Sequence, residues 1–414
     1  MKDEIINHLN DPGQLEKLYR SNKVPFKRDF STIYPDLKGN PMAEFWNERL
    51  NFESDEINWG TAKELLFVLM AALIAGFIAK IPAIFQIDPE FFYPRNIGFI
   101  FLPLLTAYFA WKNNISVKRI AVISGIMLVS LIYINLLPLS KTSDTLILAC
   151  IHLPLLLWVF LGSSFVGKNL SDYNRRLDFL RYNGDLVVMT TLILIAGGIM
   201  TGLTIGLFSL IGFKIEQFYS EYVGVVGLAA APIVGTYLTQ TNPQLVSKVS
   251  PVIAKIFSPL VLVTLVIYLG AIIYSGKDPY NDREFLIIFN LLLIGVMAII
   301  FFSIAESSKT TGSTTGTWVL LLLSAVTIVL NSIALSAILF RIAEWGITPN
   351  RLAVMGSNLL MLLNLLFITV QLFKSLTKKS DILAVGRSIA FFLPFYSMWA
   401  LIVIFLFPLI FSFK

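Results

Sequence analysis

Residues 65–85 read LLFVLMAALIAGFIAKIPAIF, 21 positions that carry a single charge, Lys80. At 1.5 Å per residue a helix of that length is about 31 Å long, matching a bilayer hydrocarbon core of about 30 Å. Ten more apolar stretches follow, near 96–111, 120–139, 146–167, 185–213, 222–241, 256–276, 284–307, 317–340, 352–373 and 388–413. Segment 96–111 is short for a full crossing, and 185–213 is long enough to tilt or to begin outside the core. Over 414 residues, 56% are hydrophobic and only 14% charged, too few charges to cover a soluble domain of this length. The sequence therefore predicts an all-α, polytopic membrane bundle of about eleven transmembrane helices.

Upstream of the first span the composition changes. Pro12, Pro25, Pro35 and Pro41 break residues 1–60 into short charged pieces, with no cleavable signal peptide among them. Asp11-Pro12 and Asn40-Pro41 are N-cap and first-turn signals. Leu15, Leu18 and Tyr19, then Phe26, Phe30 and Ile33, then Phe45, Trp46 and Leu50 recur at helical spacing. The expected organisation is a cytosolic amphipathic helical segment over 1–60 and a transmembrane domain over 61–414. The apolar faces of 1–60 are too small for a robust core of their own, so they are expected to pack on one another and on the membrane domain. Thr61 and Glu64 form a capping-box pattern before the first span.

The formal charge of +6 is not a nucleic-acid signal, because the excess sits in loops beside the spans, where basic residues set topology. With the N-terminus inside, loops 112–119, 168–184, 242–255, 308–316 and 374–387 carry 3, 4, 2, 1 and 4 basic residues, against 8 on the other side. The bias predicts a cytoplasmic N-terminus and an external C-terminus. Cys150 is the only cysteine, and His8 and His152 are the only histidines. Thiolate and histidine-rich metal sites are thereby excluded. No Gly-x-Ser-x-Gly elbow, phosphate-binding loop or pair of intramembrane aspartates occurs. No catalytic residue, cofactor or metal is expected.

Several intramembrane residues are candidates for function. Gly198, Gly202 and Gly206 repeat at four-residue spacing in 185–213 and predict tight helix packing, with a homodimer seam or gliding surface as the alternative. Gly224, Gly227 and Ala231 offer a similar face on the next span, which makes the two helices expected partners. Lys80 falls near the outer boundary, where it can snorkel. His152 has Asn135 as a possible partner, and Glu306 can pair with Lys309 at i+3. Ser324, Thr327 and Asn331 share one face of 317–340, and Ser357, Asn364 and Gln371 recur at seven-residue intervals along 352–373. The two amides Asn331 and Asn364 fall at comparable depth. They can tie the helices together or line a polar pathway.

Between those spans runs Arg341-Ile342-Ala343-Glu344-Trp345-Gly346-Ile347-Thr348-Pro349-Asn350-Arg351. Arg341 and Glu344 can pair on a last helical turn, Gly346 suits a C-cap, and Thr348-Pro349 restarts a helix. Two arginines against one glutamate leave positive charge for an anionic lipid headgroup or acidic substrate. Alternatively, the cluster is a clamp that fixes the turn. This stretch resembles the signature of a bacterial multipass family, of the type found in Bacteroidetes, catalogued only as a domain of unknown function. The resemblance implies a bacterial inner membrane and supplies no activity.

Three function classes follow. A transporter, permease or lipid-handling protein would show a cavity reaching Asn331 and Asn364. A membrane scaffold or sensor that docks a cytosolic partner, or a homo-oligomer, would show a solid core and an exposed apolar N-terminal patch. An intramembrane enzyme would show a lipid-open cleft containing Arg341, Glu344 and Arg351.

Overall fold

The computed structural model describes residues 2–21, 23–51, 58–138, 143–210, 214–247, 249–275, 280, 283–307, 314–377 and 381–413, and no strand occurs among them. The chain divides into two compact units, Met1–Asn58 and Trp59–Lys414.

The first unit is four short helices, α1 (Lys2–Asn7), α2 (Pro12–Ser21), α3 (Lys23–Ile33) and α4 (Pro41–Asn51), with a 3-10 turn at Tyr34–Leu37. Asp11 Oδ1 accepts from Gly13 N and Gln14 N at the head of α2, and Asn40 Oδ1 accepts from Met42 N and Ala43 N at the head of α4. The capping residues expected from sequence are therefore in place. The apolar faces converge on one core containing Ile5, Leu15, Phe26, Phe30, Ala43, Trp46 and Leu50, while Phe45 of the third face is exposed. Tyr19 meets Phe26 and Trp46 edge-on at 5.7 and 5.6 Å. The expectation that these faces lack a core of their own understates their aromatic content: three large rings fill the space that aliphatic residues would leave open.

The second unit contains eleven helices of 20 or more residues among its described residues: α5 (Ala62–Phe85), α6 (Pro89–Lys112), α7 (Val117–Leu136), α8 (Asp144–Val166), α9 (Tyr173–Leu210), α10 (Glu216–Thr241), α11 (Val249–Ser275), α12 (Arg283–Ser307), α13 (Thr314–Trp345), α14 (Pro349–Leu376) and α15 (Ile382–Ile410). Ten of them are long and apolar enough to cross a membrane. The exception, α6, has 24 residues, half of them buried, including Arg95, Asn96 and Thr106. A helix enclosed by others can afford polar positions that a lipid-facing helix cannot. That is why its apolar run looked short. The protein is an all-α, polytopic helical membrane protein.

Thr61 Oγ1 accepts from Glu64 N at 3.2 Å, but the Glu64 carboxylate does not return to the cap. It accepts from Tyr108 Oη at 2.6 Å and Lys112 Nζ at 3.2 Å, tying the start of α5 to the end of α6. At the opposite end of the bundle, Ser143 Oγ donates to Phe413 O beside the head of α8. The first helix of the bundle therefore starts at one end and the last helix finishes at the other, as an odd number of crossings requires.

Two cores build the bundle. One joins α5–α8 and α10, and receives Ile404 from α15. The other joins α11–α15. The first third of α9 lies between them, with Phe179 and Tyr182 in the first core and Leu177 and Leu180 in the second. Residues 168–184, expected to be a loop, are mostly helix because Asp172 Oδ1 caps α9 by accepting from Asn174 N and Arg175 N. Arg181 is accordingly an internal tie: it pairs with Asp178 and donates from Nε to Ala305 O.

The tight packing expected of the glycine stripe is not made within the chain. Gly198, Gly202 and Gly206 are exposed, and a Cβ on any of them would meet nothing within 4 Å. Only 6% of the apolar window of α9 is buried, so this stretch lies at the periphery of the bundle with its glycine face open. Gly227 is equally open, although α9 and α10 do pack. Their close approach is at Gly235, where a Cβ would sit 2.8 Å from Thr190 Oγ1. Other isolated glycines admit neighbours in the same way: Gly98 faces the backbone of Pro154, Gly184 receives Phe302, and Gly356 receives Trp399. In the last two a Cβ would fall 2.0 Å from the ring.

Candidate functional slot between α5, α6, α7 and α8

Arg95 begins the site. It is 4% exposed, and its guanidinium donates to Ile134 O and Leu137 O at 3.2 Å each, with the Phe91 ring 4.4 Å from Cζ. These carbonyls belong to the last turn of α7, where a cation meets the negative end of the helix dipole. One residue on, Asn96 and Asn135 exchange side-chain amide hydrogen bonds of 3.0 and 2.9 Å, and each also donates to the carbonyl four residues back. The far end of α7 is pinned as well. Arg119 donates to Gly167 O, Ser163 O and Ser163 Oγ at 2.5–2.8 Å. Asn113 donates to Ser164 O and Phe165 O at 2.9 Å.

Between these two anchors α7 buries only Ile123, Met127, Ser130 and Ile134. The remaining space is a cavity of about 670 Å³. Its walls run from Phe91 to Ala110 on α6 and from Ile120 to Asn135 on α7, with Ile78 and Ile81 from α5 and Ser164 from α8. The nineteen helical steps from Phe91 to Ala110 correspond to about 28 Å, so the slot extends over most of the depth of a bilayer core. The wall is apolar apart from Asn96, Thr106, Ser124, Asn135 and Ser164. Thr106 Oγ1 donates to Leu102 O, and the Asn96–Asn135 pair is mutually satisfied. Ser164 Oγ, fully buried, has no hydrogen-bond partner among the described residues. Such a site takes a long hydrocarbon body with few polar demands.

The sequence-derived candidates lie elsewhere. In the α13–α14 turn, Gly346 adopts φ +78° and its N–H donates to Ile342 O. Thr348 Oγ1 caps α14 by accepting from Arg351 N. Arg351 Nη1 donates to Trp345 O at 2.9 Å and Gly346 O at 2.7 Å. Arg341 and Arg351 stand over the Trp345 ring at 5.1 and 5.6 Å. No ion pair joins Glu344 to either arginine among the described residues, and Glu344 is exposed. Tryptophan, instead of the carboxylate, gathers the two cations, because its indole lies between them on the turn.

Asn331 and Asn364 are both fully buried, and they do not meet. Asn331 Nδ2 donates to Asn358 O, Asn358 Nδ2 to Asn290 Oδ1, and Asn364 Nδ2 to Tyr396 Oη, at 3.2, 2.7 and 3.1 Å. Thr369 Oγ1 donates to Ser324 Oγ at 3.0 Å. Gln371 is half-buried and makes none of these bonds. Neither Asn331 nor Asn364 lines the slot. His152 Nδ1 pairs with Leu148 O of its own helix, because Asn135 is already engaged by Asn96. Lys80 Nζ donates to Glu221 O at 2.9 Å and lies over the Tyr222 ring. Lys309, proposed to meet Glu306, lies outside the described residues.

Sequence reasoning missed Arg95, Asn96, Arg119 and Ser164. Arg95 and Arg119 were counted as loop charges. The available signal was their position one helical turn or less from a predicted span. No protein-family model, no curated protein and no solved structure matches this chain. The family resemblance therefore rests on residues 341–351 alone.

Proposed function

We propose that this multipass membrane protein is a lipid-handling protein that holds the hydrocarbon chain of one amphiphile in the slot between α6 and α7. The carrying observation is the shape of the slot: it runs along the helices for about 28 Å and is walled almost wholly by apolar side chains. Pins at both ends of α7 keep it open. With the N-terminus cytoplasmic, as the basic-residue bias favours, the Asn96–Asn135 end is the external one. The arginines of the 341–351 turn enter this reading as a helix clamp, since Arg351 Nη1 donates to two carbonyls of the turn.

The test uses full-length protein extracted in mild detergent, with co-purifying lipid quantified by mass spectrometry. Ala107→Phe and Ser124→Phe place rings in the slot from exposed positions on its wall. The expected result is loss of most bound lipid with the melting temperature retained. Unchanged lipid stoichiometry in both variants would show that the slot is ordinary bilayer-facing surface, and the reading would fall.

A further inference from the structure

The antiparallel helices α11 and α12 meet through two buried hydroxyls, Ser258 Oγ and Ser303 Oγ, 2.7 Å apart. Ser258 also donates to Ala254 O at 2.8 Å. With that proton committed, Ser303 is the donor within the pair, and the lone pairs of Ser303 remain available. Three residues before Ser258 stands Lys255, and three residues after Ser303 stands Glu306. Because the helices are antiparallel, both steps lead about 4.5 Å toward the same end of the bundle. Lys255 and Glu306 thus flank one cavity of about 340 Å³, which the start of α13 closes with Thr315 and Val319. Glu306 is only 6% exposed, whereas Lys255 is exposed at the rim. The cavity therefore has an acidic side chain in its wall and a basic one at its rim.

We propose that this cavity is a binding site for a zwitterionic aminoalkyl phosphate, the chemistry of an ethanolamine phospholipid headgroup. Its primary ammonium points to Glu306 and Ser303, and its phosphate points to Lys255. A primary ammonium has three N–H donors. It can serve the carboxylate and the hydroxyl together, at a depth where low dielectric strengthens the attraction. A trimethylammonium group has no N–H to give, so the site discriminates ethanolamine from choline by hydrogen bonding, not by charge. Glu306 lies one residue before the end of α12, at the level where a span meets headgroups. Lys255 at the rim meets the phosphate as a point charge. The site is separate from the α6–α7 slot and stands or falls independently of it.

The test titrates full-length protein in detergent with short-chain phosphatidylethanolamine, phosphatidylcholine and phosphatidylglycerol, read by native mass spectrometry. The ethanolamine lipid is expected to bind at least about tenfold more tightly than the other two, the scale of one charge-assisted hydrogen bond. Glu306→Gln removes that preference. Lys255→Gln weakens the ethanolamine and choline lipids alike and leaves their order intact. Should Glu306→Gln fail to fold, Ser303→Ala provides the same test with a smaller loss of preference. Competition by soluble phosphoethanolamine would assign the site to a free zwitterion, and its absence would assign it to the lipid. Equal binding of all three lipids by the parent, or a preference that survives both Glu306→Gln and Ser303→Ala, overturns the proposal.

Discussion

The two halves of the membrane unit spend their polar residues in opposite ways. Around α5–α8, Arg95, Asn96, Arg119 and Asn113 act at the ends of α7 and leave its middle slack, which opens a long cavity. Across α12–α15, Asn290, Asn331, Asn358, Asn364 and Tyr396 bond inside the helices' span and draw them together. Polar groups at helix ends fix where a helix stands without filling the space beside it. Polar groups at mid-depth fill that space and forbid it to anything else. The same chemistry therefore makes a long container in one half and a mid-depth strut in the other.

The largest expected effect tests the close packing that both halves share. Gly184→Leu and Gly356→Leu each drive a branched side chain into a ring that a bare Cβ would already approach to 2.0 Å. Overpacking of this kind costs about 1–3 kcal/mol and occasionally more, and loss of folded protein on size exclusion is expected for both. Gly202→Leu should melt like the parent, because that face is open. A reversed order would place the contacts of α9 on the wrong face.

The pins come next. Arg95→Met removes a buried cation from two carbonyls, and hydrogen bonds to charged groups contribute about 1.5–3 kcal/mol. Amide exchange over 117–136 should accelerate while 349–376 stays protected. If both regions respond equally, the two halves are one cooperative block and the contrast drawn above is lost.

Asn331→Leu sharpens the other side. The variant removes one donor to Asn358 O, but it also removes Asn331 Oδ1, a buried acceptor with no partner among the described residues. Interhelical hydrogen bonds in membranes average about 0.6 kcal/mol, so a loss of that size or smaller is expected in a thermal melt. A collapse of the α13–α14 pair would show that the asparagines carry the packing instead of supplementing it.

The smallest effect lies in the first unit. The hydrogen bond from Arg20, helped by the nearby Arg49, holds the Glu16 carboxyl below its ordinary range. A carboxyl depressed in the folded state adds stability above its unfolded pKa and loses it as pH falls through the folded value. Both arginines are solvent-exposed, so the effect is small. A Glu16→Gln variant should show less acid destabilisation than the parent in a circular dichroism titration of the full chain. Identical acid limbs would remove Glu16 from the account.

Much of the fold was legible because lipid imposes one rule on every span: twenty or so apolar residues in a row. The same rule made α6 read shorter than its 24 residues, since an enclosed helix escapes it and Arg95, Asn96 and Thr106 dilute its run. Caps at Asp11, Asn40, Thr61 and Thr348 were legible because each acts within four residues of itself. The slot was not. It depends on Arg119 reaching carbonyls 44 and 48 residues away and on Arg95 reaching those 39 and 42 away, and no local pattern records such distances. The glycine stripe misled for a related reason. Regular spacing marks a face on a helix but does not say whether anything lies against it, whereas Gly184 and Gly356 stand alone in sequence and are filled by rings from helices synthesised much later.

That lateness has a consequence for how the molecule is made. Ile404 belongs to the core of the first half, and Arg176 Nη1 donates to Ala390 O across 214 positions of chain. While the ribosome is still extending the chain, the first four spans sit in the membrane with their core unclosed and the head of α9 without its second neighbour. Closure waits for the last helix. A chain that stops before residue 390 lacks both Ile404 for the first core and the Ala390 carbonyl that Arg176 reaches.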